Sequence, residues 1–174
     1  MIKSSKKLFW ITAAFLTAAV ILFSALTVRK TAAPDVDAGE LFQLILRESA
    51  DPDNMKEGSV AKLKSLYGLD RDDYEAVFLR VPSTNMDAQE LLLVRVKNSG
   101  ETAGGSSASE ALIRQVKDAA RQRIEDLKST FSSYGIDQMA LIDNAVVDVR
   151  GDWCFYCSDK NSEQMRAAFR KALK

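Results

Sequence analysis

Histidine is absent from the 174 residues, cysteine occurs twice, and proline occurs three times, as Pro34, Pro52 and Pro82. Each scarcity closes off a kind of chemistry. Without histidine there is no ordinary general base at neutral pH, no Ser-His or Cys-His nucleophile pair, and no imidazole ligand for zinc. Two cysteines build no disulfide framework. Acidic residues are missing from one region. Residues 1–30 carry five basic side chains (Lys3, Lys6, Lys7, Arg29, Lys30) and no acidic ones, so residues 31–174 hold 19 basic against 24 acidic residues. The overall charge of zero therefore conceals a basic start and a mildly acidic remainder. Nucleic-acid affinity comes mostly from neutralising phosphates with Lys and Arg, so no nucleic-acid partner is expected.

The basic start frames the longest apolar run. Residues 8–28, LFWITAAFLTAAVILFSALTV, are 21 positions without a charge. A helix of that length spans about 30 Å, the thickness of a bilayer's hydrocarbon core. Lysines flank one end and Arg29-Lys30 the other, and Trp10 lies at the interfacial level. The competing reading is a cleaved signal peptide ending at Thr31-Ala32-Ala33. Pro34 follows that site directly and is a poor cleavage context, and no cysteine nearby offers lipid attachment. The segment reads as an uncleaved anchor in the cell membrane. Three lysines and the N-terminal amine against two basic residues place the N-terminus in the cytoplasm and the domain outside. Ala13, Ala14, Ala18 and Ala19 give small-residue spacing suited to a protein partner within the membrane.

Residues 31–36 read as a linker and 37–174 as one domain. Asp37, three residues before Glu40, has the pattern of a capping box ahead of Leu41, Leu44 and Ile45. That helix should stop before Asp51-Pro52. A second helix is expected from Ser59 to Tyr67, with Val60, Leu63 and Leu66 on one face and Gly68 as its left-handed stop. Alternation predicts strands over Tyr74–Val81 and Glu90–Lys97. Asn98 to Ser109 reads as a flexible connection. Its Gly104-Gly105 does not fit a phosphate-binding loop.

The strongest helical stripe runs from Ala108 to Tyr134, with Ser107 and Glu110 as its capping pair. Gly135 is expected to end it, and Ile136 to make the contact of a Schellman motif. Strands over Ile142–Arg150 and Trp153–Ser158 and a helix over Asn161–Leu173 complete the chain. The order helix, helix, strand, strand, helix, strand, strand, helix predicts an α+β domain. Its sheet is expected to be mostly antiparallel and four-stranded, with a long helix and flanking helices.

One motif invites chemistry. Trp153-Cys154-Phe155-Tyr156-Cys157 contains W-C-x-x-C, which outside the cytoplasm suggests a thiol-disulfide oxidoreductase using Cys154 and Cys157. A thioredoxin arrangement needs the first cysteine at a helix N-terminus, with further strands and a proline-bearing loop after it. Only 17 residues follow Cys157, and every proline lies upstream. A strand would separate the two residues by roughly 10 Å and point them to opposite faces. A disulfide needs α-carbons within about 7 Å. Two thiols without histidine also leave zinc at least two ligands short. Packing is the better reading of both cysteines, and neither a metal nor a cofactor is expected. The acidic turn Asp70, Asp72 and Asp73 lacks the spaced oxygens of a calcium loop. Nothing in the spacing of Asp143 and Asp148 marks an acid/base pair.

The turn Leu66-Tyr67-Gly68-Leu69-Asp70, the strand AQELLLVRVK, and the segment from Phe131 through YGIDQMALIDNAVVDVRGDWCFY together resemble the DUF4358 family over roughly residues 38–172. The resemblance implies an extracytoplasmic bacterial domain and supports the outward orientation. It transfers no catalytic residues. The chain departs from many members in having a plain apolar anchor in place of a lipoprotein signal, and Cys154 and Cys157 are not family features. The expectation is a membrane-tethered, non-catalytic binding or assembly module at the cell surface, with the bilayer and a membrane protein as partners. The thiol oxidoreductase is the alternative.

Overall fold

A computed structural model describes residues 36–97, 105–133 and 135–174, with only the backbone of 105–107. The expected membrane span, residues 8–28, lies outside the described residues, as does most of the linker. Among the described residues, no helix is long and apolar enough to cross a membrane.

Local signals account for the first elements. Helix α1 (Ala38–Leu46) opens where Asp37 accepts a hydrogen bond from the Glu40 amide at 2.8 Å, and it buries Leu41, Phe42, Ile45 and Leu46. A 3-10 turn over Pro52–Asn54 leads into strand β1 (Met55–Glu57). This strand makes the sheet five-stranded, not four-stranded. Three residues, two of them charged, carry no alternation, so only pairing with the next strand defines it. Helix α2 (Val60–Tyr67) is capped by Ser59, which accepts from the Lys62 amide at 3.2 Å. It ends at Gly68, where φ is +67° and glycine avoids the steric penalty of a left-handed residue. Its buried face is Leu63 and Tyr67, while Val60 remains 62% exposed, so the helix is rotated from the expected stripe.

Strands β2 (Tyr74–Pro82) and β3 (Glu90–Val96) follow, then helix α3 (Gly105–Phe131). The helix begins two residues before Ser107, so Ser107 is not its cap. Gly135 does not act as a left-handed stop. Its φ is −121°, and it is the N-cap of a further helix, α4 (Ile136–Asp143). Ile136 makes no Schellman contact and is 89% exposed. Gly135 is needed for proximity, because an added Cβ would lie 2.9 Å from Phe131 Cδ1. The third expected strand shortens accordingly to β4 (Val146–Arg150). Gly151, at φ +58°, turns the chain into β5 (Trp153–Ser158), and α5 (Ser162–Ala172) closes the domain.

The strand order is β1-β2-β3-β5-β4, and every neighbouring pair is antiparallel. The architecture is α+β. Strands β3 and β5 are central, and the sheet is covered by helices on both faces. Leu91, Leu93, Trp153, Phe155 and Cys157 meet Leu41, Ile45, Met165 and Phe169 from α1 and α5. On the other face Leu92, Val94, Val96, Cys154 and Tyr156 meet Leu63, Tyr67, Val116 and Ala120 from α2 and α3. A smaller cluster of Ala88, Leu127, Phe131 and Ile142 packs the end of α3 against α4.

Candidate functional site

Strand β5 carries both cysteines, and its pleat sends them apart. Cys154 lies in the cluster under α2 and α3, and Cys157 in the cluster under α1 and α5. Both are free and buried. Burial pushes each thiol up to about 12, and Cys157 Sγ lies 3.8 Å from the Ser162 carbonyl, a weak acceptor that only the protonated thiol can use. The thiolate is the reactive form, so neither sulfur is primed for exchange.

Of the carboxylates singled out in the sequence, Asp70, Asp143 and Asp148 have local partners. Asp70 accepts from the Asp72 amide at 3.2 Å and starts a 3-10 turn over Arg71–Asp73. Asp143 lies 3.8 Å from Lys128, and Asp148 pairs with Arg170. Among the described residues, no three Asp, Glu, Cys or His side chains converge to hold a metal ion.

Two buried polar networks at the start of β3 have no counterpart in the sequence motifs. Asp159 is fully buried. Its carboxylate accepts from Ser49 Oγ at 2.7 Å, Gln89 Nε2 at 2.7 Å, the Ala50 amide at 3.1 Å and the Asn161 amide at 2.7 Å. Glu90 forms the second network. Arg123 donates to it through Nε at 3.0 Å and again through Nη2, while Tyr67 Oη donates at 2.9 Å. Burial works against the Arg123 charge, but the hydrogen bond and charge of Glu90 outweigh it and raise its pKa. Burial first, and Glu90 second, push up the Tyr67 and Tyr156 phenols. Tyr156 Oη has no hydrogen bond among the described residues.

These networks hold one end of the loop 83–89, and a cleft of about 710 Å³ opens against it. Its walls come from residues 50–54, the loop, α4 and Lys160. Three carboxylates line it (Asp51, Asp87 and Asp137), along with the carboxamides of Asn54, Gln138 and Asn144. Two of the amides are fixed at one end. Asn54 Nδ2 donates to Asp87, and Gln138 Oε1 accepts from the Ala88 amide at 2.8 Å. That leaves Asn54 Oδ1 and Gln138 Nε2 for another partner. A second hollow of about 360 Å³ shares Asp137 and Gln138 with the cleft. It is bordered by Met86 and Ile136, which are 66% and 89% exposed. The cleft lining offers hydrogen-bond donors and acceptors beside an apolar rim. It contains no hydroxyl or thiol nucleophile.

The cleft draws on segments as far apart as Asp51 and Lys160, so no contiguous motif announces it. From the sequence a helix is expected to end at Gly135 and a strand to begin at Ile142 with no element between them, which hid the α4 wall. A family model described as a domain of unknown function, DUF4358, matches residues 48–159. That span includes the Glu90 network, the Asp159 network apart from Asn161, and every cleft residue except Lys160. No curated protein and no solved structure matches the chain.

Proposed function

This chain belongs to the DUF4358 family, and we propose that it is a membrane-tethered binding module that works outside the cytoplasm without a catalytic step of its own. The polar cleft carries the reading. Its side chains are oriented by the fold, yet several of their hydrogen-bonding groups are left for a ligand, as expected of a preorganised binding site. The tether is residues 8–28, whose length and flanking charges fit one membrane span. Burial of Cys154 and Cys157 on opposite faces of β5 disfavours the alternative of a tethered thiol-disulfide oxidoreductase.

Photo-crosslinking from the full-length protein in cells tests the cleft. A photoreactive residue at Asp137 or Asn144 is expected to capture a discrete adduct, whereas one at Arg121, exposed on α3, is not. No adduct from the cleft, or equal adducts from all three positions, would reject it. Protease accessibility on intact cells tests the address. Digestion only after lysis would place the domain inside.

A further inference from the structure

We propose that the outer edge of β2 is a docking site for an extended segment of a partner protein, which adds beside Val77 as a short strand and alternates apolar with acidic residues. This surface is independent of the cleft.

Strand β2 is nine residues long, but β1 covers only its last three, with Glu57 opposite Arg80, Lys56 opposite Val81 and Met55 opposite Pro82. The Gly58 amide donates to the Leu79 carbonyl at 2.9 Å and forms the last rung. The chain then leaves the sheet at Ser59, the cap of α2. Backbone groups on a strand point to alternate sides, so the carbonyl and amide of Val77, two residues from Leu79, face outward as well. Among the described residues, no strand pairs with them. The far end of this window is closed. Arg71 donates through Nη1 to the Tyr74 carbonyl at 3.0 Å and through Nη2 to the Glu75 carbonyl at 3.4 Å. The pairing with β3 also shifts between Tyr74 and Ala76. An open edge of a few residues is therefore bounded by Gly58 and Arg71.

A groove of about 370 Å³ lies along that edge. Val77, Leu63 and the exposed Val60 line its side toward α2. On the other side Phe78 stacks on Phe42 with ring centroids 4.8 Å apart, and the Arg80 guanidinium lies 5.9 Å from the Phe42 centroid. Arg80 forms no ion pair among the described residues. Arg71 and Arg80 outnumber the single carboxylate of the groove, Glu57. A strand added here would alternate its side chains between the two sides. The residue beside Val77 would meet aliphatic groups, and its neighbour would reach Arg80. Hence the partner carries an apolar residue next to an Asp or Glu.

The test is selection of a random ten-residue peptide library on the immobilised full-length protein. The expected winners alternate apolar and acidic residues. Val77→Pro removes the outward amide, and proline is tolerated on an edge strand whose N–H faces solvent. It should weaken the selected peptides at least tenfold, and Arg80→Gln should erase the acidic preference. Exchange of the Val77 amide gives a readout that does not depend on any variant folding. It should be fast in the free protein and slowed by the selected peptide. No enriched peptide, unchanged binding to Val77→Pro, or no slowing at Val77 would overturn the proposal. So would a Val77 amide protected in a concentration-dependent way without peptide, because a second copy of the chain would then occupy the edge.

Discussion

Gln89 and Glu90 are adjacent in sequence, yet they anchor opposite faces of the sheet. Gln89 donates to Asp159 at 2.7 Å, and Glu90 receives Arg123 and Tyr67. One peptide unit thus ties the start of β3 to the layer of α1 and α5 on one side and to the layer of α2 and α3 on the other. The loop 83–89, which borders the cleft, takes its position from both.

The Glu90–Arg123 pair should show the asymmetry of buried charge. Arg123→Ala leaves a carboxylate with a fully buried side chain without its cation, which typically costs about 3–5 kcal/mol. The double variant Glu90→Leu, Arg123→Met removes both charges and should recover most of that loss. Urea unfolding of the three proteins checks this. A double variant no more stable than Arg123→Ala would mean the pair also fixes the packing around Tyr67.

Asp159 should behave as the latch of the cleft. Asp159→Ala leaves four donors from Ser49, Ala50, Gln89 and Asn161 without their acceptor. Unpaired buried groups cost about 1–3 kcal/mol each, and the site relaxes in part, so a loss of roughly 3 kcal/mol is expected. Amide exchange should rise in residues 49–51 and 87–89 more than in α3. Uniform exchange across the domain would contradict the latch.

The buried thiols should make the fold fragile at alkaline pH. Cys154 and Cys157 are raised from 9.0 to about 12 in the folded chain, chiefly by burial. Their contribution is complete below the unfolded value and is lost as pH rises toward the folded one. Between about pH 9 and 12 each thiol should steepen the fall in stability by about 1.4 kcal/mol per pH unit. Replacing both by alanine should flatten that slope, although the lost packing lowers stability at neutral pH. A slope unchanged in the double variant would assign the fragility to the tyrosines, of which Tyr74 is also pushed up to about 12.

In the native protein neither cysteine should react with a maleimide at neutral pH, and both should react in denaturant. A fast-labelling thiol, or a reversible Cys154–Cys157 disulfide, would restore the redox reading.

Gly58→Ala should test the join between β1 and β2. An added Cβ would fall 2.5 Å from Leu79 Cγ and Cδ2. Overpacking of this kind costs about 1–3 kcal/mol. The cost should shrink in a Leu79→Ala background, because that variant removes both crowding atoms. Additive losses by denaturant titration would show that the clash is not the cause.

Much of the fold was legible in short stretches because its causes are local. Asp37 and Ser59 cap helices through bonds three residues long, Gly68 and Gly151 supply the left-handed backbone that other residues adopt at a cost, and a repeat of two puts Cys154 and Cys157 on opposite faces. The sequence alone also determined the uncharged run at residues 8–28 and the acidic balance of residues 31–174. Tertiary structure decided the rest. Strand β1 exists only because β2 offers it a partner, and α4 begins where the periodicity predicts a helix end, because Gly135 fits against Phe131. The cleft and its latch depend on contacts such as Ser49 with Asp159, which are 110 positions apart. No periodicity or cap encodes such a pair; it forms only when packing of the two layers brings the segments together.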